Sequence, residues 1–288
     1  MNENKEKFIV EKNDSLLNVL KAVKSGASNN TIKNYIKHDM VLVNDKIVDK
    51  PNTLIQVGDE ITIFYKRRTI PKIDLKIIYE DDDLIAIDKP SGLLSISNSK
   101  EKEKTAFRLV SDYIKSYNKN AKLFVVHRLD EKTSGVLLFA KNEKIKKQLQ
   151  DNWNELVKLR EYICVVQGKT LDKEDIESYL TMNHFQIVHS TKNKEVGNFA
   201  ITHYERLKYK NGYSLLRVWI DTGRRNQIRV HLSEKGHTIV GDKKYGSNVN
   251  PIGRLALHAS CLQLIDPRSN KLLTIKSEVP KEISSLVI

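Results

Sequence analysis

Cysteine is scarce in this sequence: the only two, Cys164 in YICVVQG and Cys261 in HASCLQLI, sit in strand-like apolar runs without metal-type spacing. That argues against a disulfide framework or a zinc cluster and for two buried free thiols. Long apolar runs are missing too, since none approaches the roughly 18 residues of a membrane-spanning helix. The opening stretch MNENKEKFIV is polar and contains acids, unlike a signal or transit peptide, so the expectation is a cytoplasmic protein that uses no membrane. No GxGxxG fingerprint and no phosphate-binding loop occur, which sets aside dinucleotide-dependent and P-loop enzymes. What is abundant is charge. Of 288 residues 40% are hydrophobic and 30% charged, with a net charge of +13 and a pI near 9.4. Such a surface attracts a polyanion from a distance, although a lysine-rich composition with solvated faces gives the same numbers.

The chain is long enough for one medium domain and a small accessory one. From Asn13 to Tyr65 it reads as a module of its own. NDSLLNVLKAV offers Asp14 or Ser15 as a helix cap, with Leu16, Leu20 and Val23 on one face; a second helix follows Ser28, with Ile32, Tyr35 and Ile36 inward and Lys33 and Lys37 outward. MVLVNDKIV predicts two short strands around Asn44-Asp45, and VGDEITIF a strand with Ile61 and Ile63 alternating. The order helix, helix, hairpin, VGD, strand resembles the S4 RNA-binding module, whose helices present a basic face to RNA; Asp45 stands where that family usually has glycine. The expected organisation is an S4-like domain at residues 1–68, a basic linker at 69–74 and a second domain at 75–288.

Beyond the linker the regular strand-helix rhythm of a Rossmann fold is absent. LIAIDKPSGLLSI reads as strand, turn at Lys89-Pro90, strand; EKTAFRLVSDYIKSY and EKIKKQLQDNWNELVK read as helices, the second aligning Ile145, Leu149, Trp153 and Val157. Further strands are predicted at 159–167, 199–208, 213–221, 255–265 and 272–278. The fold class expected is α+β: a largely antiparallel mixed sheet, preceded by the small N-terminal α/β domain.

Two stretches carry chemistry. VVHRLDEKTSGVLLFAKN, Val125 to Asn142, places an arginine and a carboxylate in an apolar run, which is costly unless the charges are paired or used. In an extended chain Val126, Arg128 and Asp130 share one face and Val125, His127 and Leu129 the other. Taken alone, Asp130 reads best as a turn cap paired with Arg128. The second stretch, DTGRRNQIRVHLSEKGHTIVGDKKYG, leads from a strand end into a helix closed by Gly236. Arg224, Arg225 and Arg229 crowd the first turns, where positive charge is unfavourable unless an anion is near.

HRLDEKTSGVLLFAK together with KPSGLL, REYICVVQG, TGRRNQIRVHL, GHTIVGDKKYG and RLALHA resembles the RluA-type pseudouridine synthases that carry an N-terminal S4 domain, in motif order over essentially the whole chain. The resemblance implies a pseudouridine synthase fold and an RNA substrate, ribosomal (large-subunit) or transfer RNA; the isomerisation requires no cofactor and no metal, and a monomer is the default expectation. The resemblance makes Asp130 the catalytic aspartate, Tyr162 the aromatic that stacks on the target base, and Arg229 the arginine paired with the aspartate. Substrate-binding roles fall to Arg128, Thr133, Arg224 and Ile228, and RNA-binding roles in the S4 module to Lys33 and Lys37. Asn226 stands where many members have histidine, and Thr238 where many have proline.

Isomerising uridine to pseudouridine breaks the sugar-nitrogen bond, turns the base and rejoins it through carbon, a redox-neutral sequence. It needs an ionised carboxylate as nucleophile or electrostatic stabiliser. Burial raises a carboxylate pKa and a nearby guanidinium lowers it, which is the expected use of Arg229. His127, His231 and His258 read as structural histidines with satisfied ring nitrogens. Two other readings stay open: a noncatalytic S4-type RNA-binding protein, and a nucleoside or glycoside hydrolase, which needs a second carboxylate about 5–10 Å from Asp130 that the sequence does not offer.

Overall fold

The computed structural model describes residues 5–38, 40–44, 46–64, 75–99, 101 and 103–288. The chain divides into two compact units, Met1–Ile73 with Ser111–Ala121, and Asp74–Val110 with Lys122–Ile288. The linker expected at 69–74 lies outside the described residues, as does Asp45.

In the first unit, β1 (Lys5–Ile9), β3 (Val41–Val43), β4 (Lys46–Ile47) and β6 (Glu60–Phe64) form a sheet in the order β1-β6-β3-β4, and β2 (Asp14–Ser15) pairs with β5 (Leu54–Ile55). Helices α1 (Leu16–Val23) and α2 (Asn29–Lys37) start at Ser15 and Ser28, whose hydroxyls accept from the amides of Asn18 and Thr31. Leu16, Leu20, Ile32, Ile36, Ile61 and Ile63 form the core, with Tyr35 packed at its side. Val23, expected inward, is 42% exposed because α1 ends there, and Val19 takes the buried place. Lys33 and Lys37 are exposed on α2, as their spacing predicts.

The second unit is built on an eleven-stranded sheet. In chain order its strands are β7 (Lys76–Glu80), β8 (Leu84–Lys89), β9 (Phe124–Val125), β10 (Ser134–Ala140), β11 (Val157–Gln167), β12 (Lys173–Met182), β13 (Val188–Thr191), β14 (Asn198–Lys210), β15 (Tyr213–Ile220), β16 (Leu257–Ile265) and β17 (Leu272–Lys276). The main order is β13-β12-β14-β15-β11-β16-β10-β8-β7, with β17 on β16 and β9 on β10. β10 and β16 run parallel, and the other described pairs are antiparallel. Helices α3 (Ala106–Tyr117), α4 (Glu143–Asp151), α5 (Trp153–Leu156), α6 (Gln227–Glu234) and α7 (Lys281–Ser284) complete the chain. Among the described residues no helix is long and apolar enough to cross a membrane.

The stripe Ile145, Leu149, Trp153, Val157 packs into one cluster, but not from one helix. The helix breaks at Asn152 and Val157 already begins β11. Nor does the segment after Lys89-Pro90 form the second strand expected of LIAIDKPSGLLSI; it makes one isolated bridge, Leu94 to Thr105. β12 and β13 are strands that the sequence pattern missed.

Candidate active site

The segment Val126–Asp130 is not a strand. β9 ends at Val125 and β10 begins at Ser134, and the residues between are extended loop closing in a turn where the Thr133 amide donates to the Asp130 carbonyl at 3.1 Å. Rigidity comes from distant groups instead. Ser95 Oγ donates to the Leu129 carbonyl at 2.7 Å and accepts from the Leu129 amide at 3.1 Å. The buried Lys89 ammonium donates to the carbonyls of Pro90, Leu93 and Glu131 at 3.0, 2.7 and 3.0 Å. Burial pulls its pKa down to about 7, while three carbonyl acceptors favour the charged form. Gly135, at φ +110°, ends the motif because β10 meets β16 there; a Cβ would lie 2.1 Å from the Ala259 carbonyl oxygen.

A cavity of about 460 Å³ opens beside this loop. Asp130, Tyr162, Arg229, Arg128, Thr133, Arg224 and Ile228, predicted from separate stretches of sequence, all line it. α6 carries Arg229 and Ile228 and is buried from Gln227 to Leu232. It starts later than the sequence suggests, after Asn226 in the left-handed region at φ 54°, so Arg224 and Arg225 lie in the preceding loop rather than in its first turn. The Gln227 carboxamide ties that loop down, accepting from Thr222 Oγ1 at 2.8 Å and from the Arg224 amide at 3.0 Å.

Arg229 Nη1 stands 3.9 Å from Asp130 Oδ2. Its tight partner is another carboxylate: Nε and Nη2 donate to Asp242 Oδ2 and Oδ1, each at 2.7 Å, and Nη1 donates to Asn226 Oδ1 at 2.9 Å. The guanidinium carbon sits 4.9 Å from the centre of the Tyr245 ring, whose hydroxyl accepts from Asn226 Nδ2 at 2.9 Å. With Asp242 1% and Arg229 6% exposed, this is a buried fork. At Asp130 the two opposing effects expected from the sequence are both present, with desolvation the larger. Desolvation raises its pKa above the ordinary 3.8, and Arg229, then Arg128, Arg225 and Lys89, recover only part of that rise.

Burial pushes the Tyr162 phenol up to about 12, which favours its protonated form. Arg160 shares the cavity wall and donates from Nη2 to the Asp221 carbonyl. It was legible in principle, being two residues before Tyr162 on one strand. The histidines are satisfied as expected: His127 Nε2 accepts from the Leu138 amide at 2.9 Å, His231 meets Thr202 and Ser178 at 2.9 Å each, and His258 meets Ser134 at 2.8 Å. Among the described residues no group of three or more His, Cys, Asp or Glu is placed to hold a metal ion.

Comparison with known proteins identifies the family. The sequence matches the RNA pseudouridylate synthase family over residues 83–234 and the S4 domain over residues 15–61. It is 30% identical to an uncharacterized RNA pseudouridine synthase of Bacillus subtilis, over 98% of this chain and 95% of that one. It is also 30% identical to ribosomal large subunit pseudouridine synthase D of Escherichia coli K12, over 90% of this chain and 85% of that one. In fold it resembles human RNA pseudouridylate synthase domain containing 4, with a TM-score of 0.60 and 21% identity over 73% of this chain and 90% of the other. The protein belongs to the RNA pseudouridylate synthase family, as an RluA-type isomerase with an N-terminal S4 domain.

Proposed function

We propose that this enzyme isomerises specific uridines of large-subunit ribosomal RNA, with Asp130 as the catalytic aspartate. The observation that supports the assignment is the convergence of Asp130, Tyr162 and Arg229 on one cavity from a loop, a strand and a helix. Asp130 attacks the nucleoside or stabilises the sugar as the glycosidic bond breaks; the base turns, bonds through C5 to C1′, and the C5 proton leaves as N1 is protonated. The uridine must first leave its stack, at a cost of a few kcal/mol. Tyr162 recovers part of that by stacking. The relative from Escherichia coli is named for the large ribosomal subunit, and that name supports the choice of RNA. Mapping pseudouridines in total RNA from cells lacking the protein, complemented by wild type or by Asp130→Asn, tests both points. Loss at large-subunit positions, restored by wild type alone, is expected. Restoration by the variant would sink the assignment of Asp130, and released uracil in place of isomerised uridine would favour a hydrolase. Asp221 also lines the cavity, but its side chain engages His203 at 3.2 Å.

Tyr162→Phe is expected to retain most activity, because the role assigned is aromatic contact, whereas Tyr162→Leu loses stacking worth about 1–3 kcal/mol, roughly 5- to 150-fold in kcat/KM. Equal losses in both would assign the work to the hydroxyl. In the S4 domain, Lys33→Glu with Lys37→Glu is expected to weaken RNA binding and to reduce the slope of log affinity against log salt by about 1.4–1.8, if each lysine meets one phosphate. An unchanged slope would remove α2 from the RNA interface.

A further inference from the structure

The cavity does not end at Arg160. A second one of about 240 Å³ adjoins it, and Trp153, Asn154, Arg160, Ile220 and Asp221 line both. Lys158 lines the second, Arg160 both and Tyr162 the first. The segment of β11 from 158 to 162, whose pairing with β16 shifts register at Lys158 and again between Glu161 and Tyr162, thus runs from one cavity into the other. The order is cation, cation, aromatic. Arg160 is held at the partition by the Asp221 carbonyl, and Gly223 makes room for it, because a Cβ there would lie 2.8 Å from Arg160 Nη1. Trp153 is anchored from behind by the His127 ring, centroids 5.4 Å apart and tilted 34°, and by the cluster around Ile145 and Leu149.

An indole beside two cations fits a nucleotide, whose base stacks and whose phosphate pairs with a guanidinium or ammonium. Building on the synthase reading, we propose that the second cavity binds the nucleotide next to the target uridine, with its base on Trp153 and its phosphate on Arg160 and Lys158. The enzyme then reads or grips a dinucleotide, and the neighbour's binding energy helps to hold the target out of its stack.

The test uses the full-length protein and a short RNA spanning a uridine found by the mapping above, with an abasic residue placed on its 5′ or its 3′ side. For wild type, the abasic residue on one side raises KM about 10-fold, as loss of about 1.4 kcal/mol of stacking requires, with kcat little changed. Trp153→Leu shows that loss on the intact RNA and no further loss on the abasic one. Lys158→Ala, a change at an exposed side chain, guards against a folding effect at Trp153 and is expected to lower the salt slope of KM by about 0.7. Losses that add in Trp153→Leu, an abasic series without effect on either side, or an unchanged slope in Lys158→Ala would each overturn the proposal while wild-type turnover stands. Absence of pseudouridine from every RNA with wild type would instead overturn the reading on which it rests.

Discussion

Asp130→Asn is expected to abolish pseudouridine formation, by about 10³-fold or more, and to raise the melting temperature at neutral pH. On the role proposed for Asp130, the first effect follows from losing the carboxylate that meets the reacting sugar or base, the order of magnitude typical for removing a group that stabilises developing charge. RNA binding is expected to survive, since the S4 domain and the cavity arginines proposed to meet substrate, Arg128 and Arg224, are untouched. The second effect follows from the cost of keeping an anion there. Folding raises the Asp130 pKa above 3.8, chiefly by desolvation, so the folded chain holds that proton more tightly than the unfolded chain does. The stability this confers is complete below about 3.8 and is lost as pH rises through the higher folded value. Above it wild type carries a partly buried charge that asparagine lacks. The stability gap between variant and wild type therefore opens as pH rises through that window and stays constant up to neutrality. Thermal denaturation at about pH 4 and pH 7, beside a pseudouridine assay, measures both. A variant that is inactive but less stable at neutral pH would mean that the cations around Asp130 outweigh its desolvation.

The same balance separates what was legible in the sequence from what was not. Asp130, Tyr162 and Arg229 stand in motifs tens of residues apart, and the motifs announced them. The loop conformation around Asp130 could not be read from VVHRLD, because the groups that impose it, Ser95 and Lys89, lie 34 and 42 residues from the carbonyls they bind at Leu129 and Glu131. Alternation gave a strand where remote hydrogen bonds hold an irregular extended chain. β12 escaped for a different reason: its buried residues, Ile176 and Leu180, are four apart among charged neighbours, a spacing that suits a helix as well as a strand. α4 and α5 read as one helix because the apolar stripe continues past Asn152 although the backbone turns there. Asp242 was overlooked because, between Gly241 and Lys243, it looks like an ordinary turn acid. Only the fold places it against Arg229.

That placement makes Asp242 the positioning residue with the largest expected cost. Asp242→Ala removes one partner of a fully buried, bidentate pair and leaves Nε and Nη2 of Arg229 without acceptors. Breaking such a pair from one side typically costs about 3–5 kcal/mol, most of it the penalty of the orphaned charge. Denaturation in urea should show that loss. A guanidinium freed from its fork no longer presents Nη1 to Asp130 in fixed geometry, and kcat is expected to fall by about 10²-fold, as misplacement by about an ångström can cause. Asp242→Asn separates position from charge. The amide still offers one oxygen acceptor but no longer offsets the charge of Arg229, so the cation acts more fully on Asp130. The acid limb of the kcat/KM profile, which on the role proposed for Asp130 follows its ionisation in the free enzyme, is then expected to move to lower pH than in wild type. Arg128, Arg225, Lys89 and Lys244, the other cations whose fields reach Asp130, are unchanged in that comparison. A purely structural role for Asp242 predicts lost stability with no movement of the limb, and that outcome would confine it to the scaffold. A limb displaced to lower pH shows instead that the enzyme holds its arginine between two carboxylates and sets the ionisation of one by its grip on the other.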